Sequence, residues 1–95
     1  MQVDITARHF TPSVQLKEMV YEKLKKIEKF NSSIMHYRVI LTKQANFEDV
    51  EIVAHGKGSH FVANENSENF EKALLIAIDK VAIQVKKQHE KLVDH

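Results

Sequence analysis

The chain has 95 residues, of which 43% are hydrophobic and 28% charged, and a formal net charge of +1, a composition that predicts one globular domain over residues 1–95. It has no cysteine, which excludes disulfides and thiolate zinc sites and makes the cytosol the simplest compartment. The longest apolar run, Ala73 to Ile78, is far shorter than the ~20 residues needed to span a bilayer, so we expect no membrane partner.

The predicted elements begin with a strand over Gln2 to Ala7, where apolar and polar residues alternate. A helix follows, with Thr11 as its capping residue and Pro12 as its first helical residue, and is predicted to end near Asn31. Three strands come next, and the turn Gly56-Lys-Gly-Ser59 joins the last two, because its glycines accept the positive φ of a tight hairpin. The predicted bounds of these strands are Tyr37 to Lys43, Asp49 to His55, and His60 to Asn64.

Alternation within the three later strands predicts which side chains point inward. The inward set comprises Tyr37, Val39, Leu41, Val50, Ile52, Ala54, Phe61 and Ala63. Four polar side chains, Arg38, Thr42, Glu51 and Asn64, are expected on the outer face of the sheet.

The second helix is predicted to start after the capping and first-turn residues Asn66, Ser67 and Glu68 and to run to about Val93, since no proline or glycine interrupts it. The element order is then β-α-β-β-β-α. It predicts an α+β two-layer sandwich in which two helices cover one face of a four-stranded sheet and a helical crossover joins the first two strands.

Positive charge is concentrated in the two predicted helices. The segment from Lys23 to Lys29 holds four lysines and one glutamate, a local charge of +3, and the segment from Lys80 to Lys91 has the same balance. Residues 31–69, between them, carry −2. Because a local basic patch attracts phosphate even where the net charge is small, this distribution predicts an RNA-binding surface on the helices.

Helical projection separates the core-facing residues from the lysines. On the first helix the predicted core stripe consists of Leu16, Met19, Val20, Leu24, Ile27 and Phe30. Lys23 falls inside this stripe, so its ammonium group must emerge between elements. On the second helix Lys80, Lys87 and Lys91 recur along one flank with Lys86 beside them, a spacing that can meet successive phosphates. A merely solvated helix face remains open as the alternative for both sets.

The second helix carries more apolar residues than one sheet can cover. Its predicted core stripe consists of Phe70, Ala73, Leu74, Ala77, Ile78, Val81 and Val85. Outside this stripe, Leu75 and Ala82 lie on one flank, and Ile76 and Ile83 lie on the other. Two interpretations are open: a contact with a second copy or another protein, or cover by the sheet edge and loops.

Other classes of site find no support in the sequence. None of the six histidines forms a pair at the i, i+4 spacing of a helical zinc site, and His55 and His60 are expected to face each other across the hairpin as solvent-facing imidazoles. Asp49 and Glu51 share a strand face, but nothing supplies the pocket or third group that acid-base catalysis needs. We therefore predict no enzyme activity, no catalytic residue, no metal and no cofactor.

Several segments together resemble the ribosome hibernation promoting factors, a family that includes ribosome-associated translation inhibitors and proteins labelled sigma-54 modulation proteins. They are the opening Met1-Gln-Val-Asp-Ile5, the block Lys23-Leu-x-Lys26-Ile, and the ending Gln84-Val-Lys-Lys-x-x-Glu-Lys91. The resemblance covers the whole chain. It implies a double-stranded-RNA-binding-like fold that sits on the small ribosomal subunit near the decoding region and silences the ribosome in starvation or stationary phase.

The resemblance also implies the kind of partner. This chain looks like the short form of the family, without the C-terminal dimerisation domain, which works with a separate small ribosome modulation factor to pair ribosomes. Its expected ligand is ribosomal RNA and not DNA. The candidate RNA-binding residues are Lys23, Lys26, Lys29, Lys80, Lys86, Lys87 and Lys91.

One departure from the family supports a second hypothesis. The family usually has an acidic residue near Leu75 and a basic residue near Ala82 or Ile83, whereas all three are apolar here. The first hypothesis is an RNA-binding module that occludes the decoding channel. The second is a protein-interaction domain of the same fold with weakened ribosome affinity, which self-associates as a homodimer through Leu75, Ile76, Ala82 and Ile83.

Overall fold

The fold is given by a computed structural model, which describes residues 1–30 and 33–93, with side chains described up to residue 88. The elements are β1 (Gln2–Arg8), α1 (Val14–Glu28), β2 (Ile34–Lys43), β3 (Glu48–Gly56), β4 (Ser59–Ser67) and α2 (Phe70–Val93). The predicted order β-α-β-β-β-α is confirmed.

The four strands form one sheet in the order β1-β2-β3-β4. β1 and β2 are parallel, as a helical crossover requires, and the other two pairs are antiparallel. One row of the register joins Ile5 to Val39, Val39 to Ile52, and Ile52 to Ala63, so apolar side chains cross the whole sheet on one face. Both helices pack on this face, which confirms the predicted two-layer sandwich.

The core lies between the sheet and the helices, and all eight strand residues predicted to face inward are buried. Two residues differ in burial from what their predicted positions imply. Thr42 lies on the outer row yet is only 9% exposed, because Arg8 and Asp49 flank it on the neighbouring strands. Phe30 was predicted in the core stripe of α1 but is 40% exposed, because the helix ends at Glu28 and the chain turns. Asn31, the predicted helix end, lies outside the described residues.

Both helices start later than the sequence predicts. Ser13, not Thr11, caps α1, since its Oγ accepts a hydrogen bond from the Leu16 amide at 3.1 Å; Pro12 therefore precedes the cap. At α2, strand β4 continues through Ser67, so the predicted caps at 66–68 are wrong. Asn69 is the cap, with its Oδ1 accepting from the Lys72 amide at 2.9 Å.

The β3–β4 hairpin uses its two glycines differently. Gly58 has a φ of 74° in the turn, which a glycine adopts without strain. Gly56 does not have the positive φ that was predicted, and it ends β3 as a regular strand residue. A Cβ at this position would lie 3.2 Å from Ser59 Oγ, so a larger residue requires the Ser59 side chain to shift by a few tenths of an ångström.

The two helices end at the hairpin end of the sheet. At the close of α1, the Tyr37 hydroxyl donates to Glu28 Oε1 at 3.2 Å. α2 begins at the opposite end, where the Phe70 amide donates to Glu48 Oε1 at 2.7 Å, and it runs back along β4 until Gln84 Nε2 donates to the Val62 carbonyl at 2.9 Å. The lysine-rich C-terminal halves of both helices are therefore brought to the same end of the molecule.

Replacing Tyr37 by phenylalanine is expected to lower the free energy of unfolding by about 1–3 kcal/mol at neutral pH, because the buried hydroxyl donates to a carboxylate. Burial, followed by the charge and hydrogen bond of Glu28, raises the pKa of Tyr37 well above its usual range. At alkaline pH this tyrosine therefore loses its proton in the unfolded chain and keeps it in the folded chain. The free energy of unfolding of the wild type then falls by up to ~1.4 kcal/mol per pH unit because of this group.

The phenylalanine variant has no phenol to titrate, so its free energy of unfolding does not fall for this reason. The difference in unfolding free energy between the variant and the wild type, measured by urea unfolding, should therefore shrink between pH 7 and pH 11. Tyr21→Phe, at a position 42% exposed, is the matched control and should differ little from the wild type at either pH. A difference at Tyr37 that stays constant with pH would contradict the burial argument.

Candidate nucleic-acid interface

A groove with an apolar floor and a rim of lysines runs between α1 and α2. It consists of two adjoining hollows of about 310 and 610 Å³ that share Lys26, Phe30 and Asp79. We call it the interhelical groove, and it is lined by Glu22, Lys23, Lys25, Lys26, Lys29, Phe30, Leu75, Ile78, Asp79, Ala82, Ile83 and Lys86.

Four of the predicted RNA-binding lysines meet in this groove: Lys23, Lys26, Lys29 and Lys86. Lys23 is half-buried, in accord with its predicted place inside the core stripe. Lys26 forms an ion pair with Asp79 Oδ1 across the two helices. The other three form no ion pair with any side chain that the structure describes, so their ammonium groups are available to a ligand.

The remaining predicted lysines are placed differently. Lys80 Nζ lies 2.8 Å from Glu65 Oε1 of β4, on the flank of α2 that faces away from α1. Lys87 follows seven residues later and therefore lies on the same flank. Lys91 is among the residues whose side chains the structure does not describe. The described lysines of α2 thus lie on different sides of the helix, and among them only Lys86 lines the groove.

The groove is positively charged although one ion pair crosses it. Its five lysines face two carboxylates, Glu22 and Asp79, which leaves a local charge of +3. Lys25 is engaged with Glu22 at 3.2 Å, and two of the lysines in the last turn of α1 also complement the negative end of the helix dipole. Part of the lysine charge therefore stabilises the helix, and the rest can meet an anion.

At the opposite end of the molecule, the start of α2 is rich in carboxylates. Lys72, in the first turn of α2, bonds Glu68, and this hydrogen bond and the lysine charge hold the pKa of that carboxyl below its usual range. Glu71 and the Glu48 carboxylate lie beside the same helix start. The start of α2 therefore offers an anion less free positive charge than the groove does.

The apolar residues predicted as a protein interface differ in exposure and in their relation to the groove. Ala82 is only 4% exposed and belongs to the groove floor beside Lys26 and Phe30, so at this position the apolar side chain is covered within the fold, by the other helix and not by the sheet edge. Leu75 and Ile83 border the groove with 39% and 53% exposure, whereas Ile76, 41% exposed, lies outside it.

Asp79 and Phe30 are among the groove residues that sequence reasoning did not assign to a site. Asp79 follows Leu75 by four residues and precedes Lys86 by seven, a spacing that places all three on one side of a helix, so this signal was present in the sequence. The exposure of Phe30 had no such signal, because it depends on where α1 ends.

The outer face of the sheet carries a row of three stacked imidazoles. His55 lies directly opposite His60 with ring centroids 5.9 Å apart, as predicted, and His36 continues the row at 5.6 Å from His55. Asp4 Oδ2 lies 2.7 Å from His36 Nε2. Within the described residues, no group of three potential ligands is arranged to hold a metal ion. No helix in the described part of the chain is long and apolar enough to cross a membrane.

Comparison with known proteins identifies the family and the fold that this chain resembles. A family model described as Sigma 54 modulation protein / S30EA ribosomal protein matches residues 3–93. A ribosome hibernation promoting factor from Azotobacter vinelandii is 29% identical over 94 residues, covering 99% of this chain and 88% of that protein. A protein of the same name from Pseudomonas putida is 32% identical over 91 residues, covering 96% and 89%.

Two solved structures share the fold. The N-terminal domain of Thermus thermophilus Protein Y has a TM-score of 0.85 at 18% identity, covering 93% of this chain and 99% of that one. A ribosomal subunit interface protein from Coxiella burnetii has a TM-score of 0.87 at 21% identity, covering 94% and 98%. At these identities the likeness concerns the fold.

Proposed function

Because this chain belongs to the Sigma 54 modulation protein / S30EA ribosomal protein family, we propose that it is a ribosome hibernation factor. It binds the small ribosomal subunit near the decoding centre and blocks binding of messenger and transfer RNA under stress or in stationary phase. The observation that carries this proposal is the groove charge of +3 in a chain whose net charge is +1. A cytoplasmic location goes with this partner.

The proposed mechanism is occupancy, and it needs no catalytic group. Ammonium groups of Lys23, Lys29 and Lys86 meet phosphates of ribosomal RNA and release counterions, so affinity depends on salt. Folded RNA is recognised largely by shape and backbone, which matches a surface built from two helices and lysines. The long, narrow molecule, 48 × 22 × 19 Å, suits a channel that RNA would otherwise fill.

Residues 1–95 are proposed to act as one ribosome-binding domain. Pairing of ribosomes, where it occurs, is assigned to a separate small ribosome modulation factor, because the contacts proposed for this chain are all with ribosomal RNA. Gradient profiles of ribosomes with and without such a factor would show this division: the chain alone is expected to bind single ribosomes and leave them unpaired.

Competition tests the proposal. Small ribosomal subunits saturated with the protein are expected to retain little added transfer RNA in a filter-binding assay, with the loss proportional to the fraction of subunits occupied. The protein with Lys23, Lys29 and Lys86 changed to glutamate is the control that should leave transfer RNA binding intact. Simultaneous binding of protein and transfer RNA to one subunit would contradict occupancy of the decoding channel.

A second candidate function is a protein-interaction domain that forms a homodimer. It is favoured by the exposure of Leu75, Ile76 and Ile83, at 39%, 41% and 53%. Light scattering separates the two functions: a dimer that Ile76→Lys converts to a monomer would support this candidate, and a monomeric wild type would remove it.

A further inference from the structure

We propose that the interhelical groove holds one unstacked nucleotide of RNA, with its base on the apolar floor and its flanking phosphates on the lysine rim. This inference rests on the proposed function only in taking RNA as the ligand. It assigns a base-binding site where a purely electrostatic surface would contact phosphates alone.

The first observation is the floor. A site that bound only phosphates would need cations and no apolar surface. The smaller hollow, about 310 Å³, is nevertheless lined by Phe30, Ala82 and Ile83 as well as by charged residues. Phe30 and Ile83 remain 40% and 53% exposed, so apolar surface is open inside a cationic groove. Unstacked bases of RNA bind on aromatic and apolar side chains, and each stacked base contributes about 1–3 kcal/mol.

The second observation is the rim. Lys23 and Lys29 of α1 border the groove on one side, and Lys86 of α2 borders it on the other. These are the three groove lysines without an ion pair among the described side chains. Cations on both sides of an apolar floor match a nucleotide chemically, since its base is apolar on both faces and its phosphates carry the charge.

The third observation is Asp79, the carboxylate at the junction of the two hollows. Lys26 donates only to Oδ1 of Asp79. The Asp79 side chain is 57% exposed, so its Oδ2 can accept a further hydrogen bond. A carboxylate accepts from the exocyclic amino group of cytosine, and uracil has no such group. The groove is therefore expected to prefer an amino-bearing base to uracil, with Lys26 holding the carboxylate in position.

Three short RNA oligomers of equal length test this site: oligocytidylate, oligouridylate, and an abasic oligomer that keeps every phosphate. The expected order of affinity is cytidylate above uridylate above abasic, with the cytidylate about tenfold or more tighter than the abasic chain. In methyl NMR spectra, Leu75 and Ile83 should shift with oligocytidylate and not with the abasic oligomer, while Ile76, outside the groove, should shift with neither.

Two variants probe the assigned contacts. Phe30→Ala should reduce the advantage of cytidylate over the abasic oligomer, and Asp79→Asn should reduce its advantage over uridylate. Ile76→Ser, an exposed apolar change outside the groove, is the matched control and should preserve both advantages.

The outcomes separate the site from the proposed function. Equal affinity for abasic and base-bearing RNA would overturn the base site while leaving the lysine contacts and ribosome binding in place. An Asp79→Asn variant that kept the full cytidylate preference would overturn the carboxylate contact. If the wild-type protein did not bind small ribosomal subunits at all, the proposed function would be overturned instead.

Discussion

Changing Lys23, Lys29 and Lys86 together to glutamate is expected to weaken binding to small ribosomal subunits by about 100-fold or more. All three line the interhelical groove, and none is paired with a described carboxylate, so each ammonium group is free to meet a phosphate. Affinity falls with salt, and each phosphate contact that is removed makes the plot of log affinity against log salt concentration shallower by about one unit of slope. Affinity measured over a salt series tests both effects.

The matched control reverses the charges of Arg8, Lys17 and Lys43, which are exposed, lie outside the groove near the other end of the sheet, and form no ion pair with a described side chain. Both triple variants change the net charge by the same amount, so nonspecific attraction to RNA falls equally. The control is expected to lose less than about tenfold in affinity for the subunit, because it loses only long-range attraction, which salt largely screens. Equal losses in the two variants would show that net charge, and not the groove, governs binding.

The second large effect is on stability. Phe70→Ala is expected to lower the free energy of unfolding by about 3–5 kcal/mol, the usual cost of removing a buried aromatic ring. Phe70 is 7% exposed and stacks on Phe10 with ring centroids 4.8 Å apart, which fastens the segment after β1 to the start of α2. Urea unfolding measures the loss.

Phe47→Ala is the control for this change, because Phe47 is 41% exposed and loses the same atoms. It is expected to cost less than about 1 kcal/mol, as exposed substitutions generally do. Similar losses at the two positions would contradict the packing assigned to Phe70. Since Phe70 lies at the end of α2 remote from Lys86, its variant should retain groove affinity for RNA under conditions in which it stays folded.

The sheet and its core could be predicted from the sequence because strand alternation is a local signal. Val39 and Ile52 lie in short segments with a clear period of two, and their burial follows once one face of the sheet is covered. The start of α1 was harder, because Thr11 and Ser13 both carry hydroxyls suited to capping. Only the position of the Leu16 amide decides between them.

The candidate site was predictable within each helix and not between them. Clustering of lysines is visible in the sequence, but the placement of Lys86 in the groove and of Lys80 against Glu65 of β4 is not, since the sequence predicted the two lysines as one flank. The pairing of Lys26 with Asp79 depends on how α1 packs against α2, which no spacing along the chain reveals. The burial of Ala82 was not predicted for the same reason, because Lys26 and Phe30, which lie beside it in the groove, come from α1 and the turn that follows it.

Cosedimentation of the purified protein with small ribosomal subunits, at low and moderate salt, is the most direct measurement of the central claim. We predict near-stoichiometric binding at low salt that falls steeply at moderate salt, because lysine-phosphate contacts release counterions. Absence of binding at low salt would contradict a ribosomal role, and binding that ignored salt would contradict recognition through the lysines of the interhelical groove.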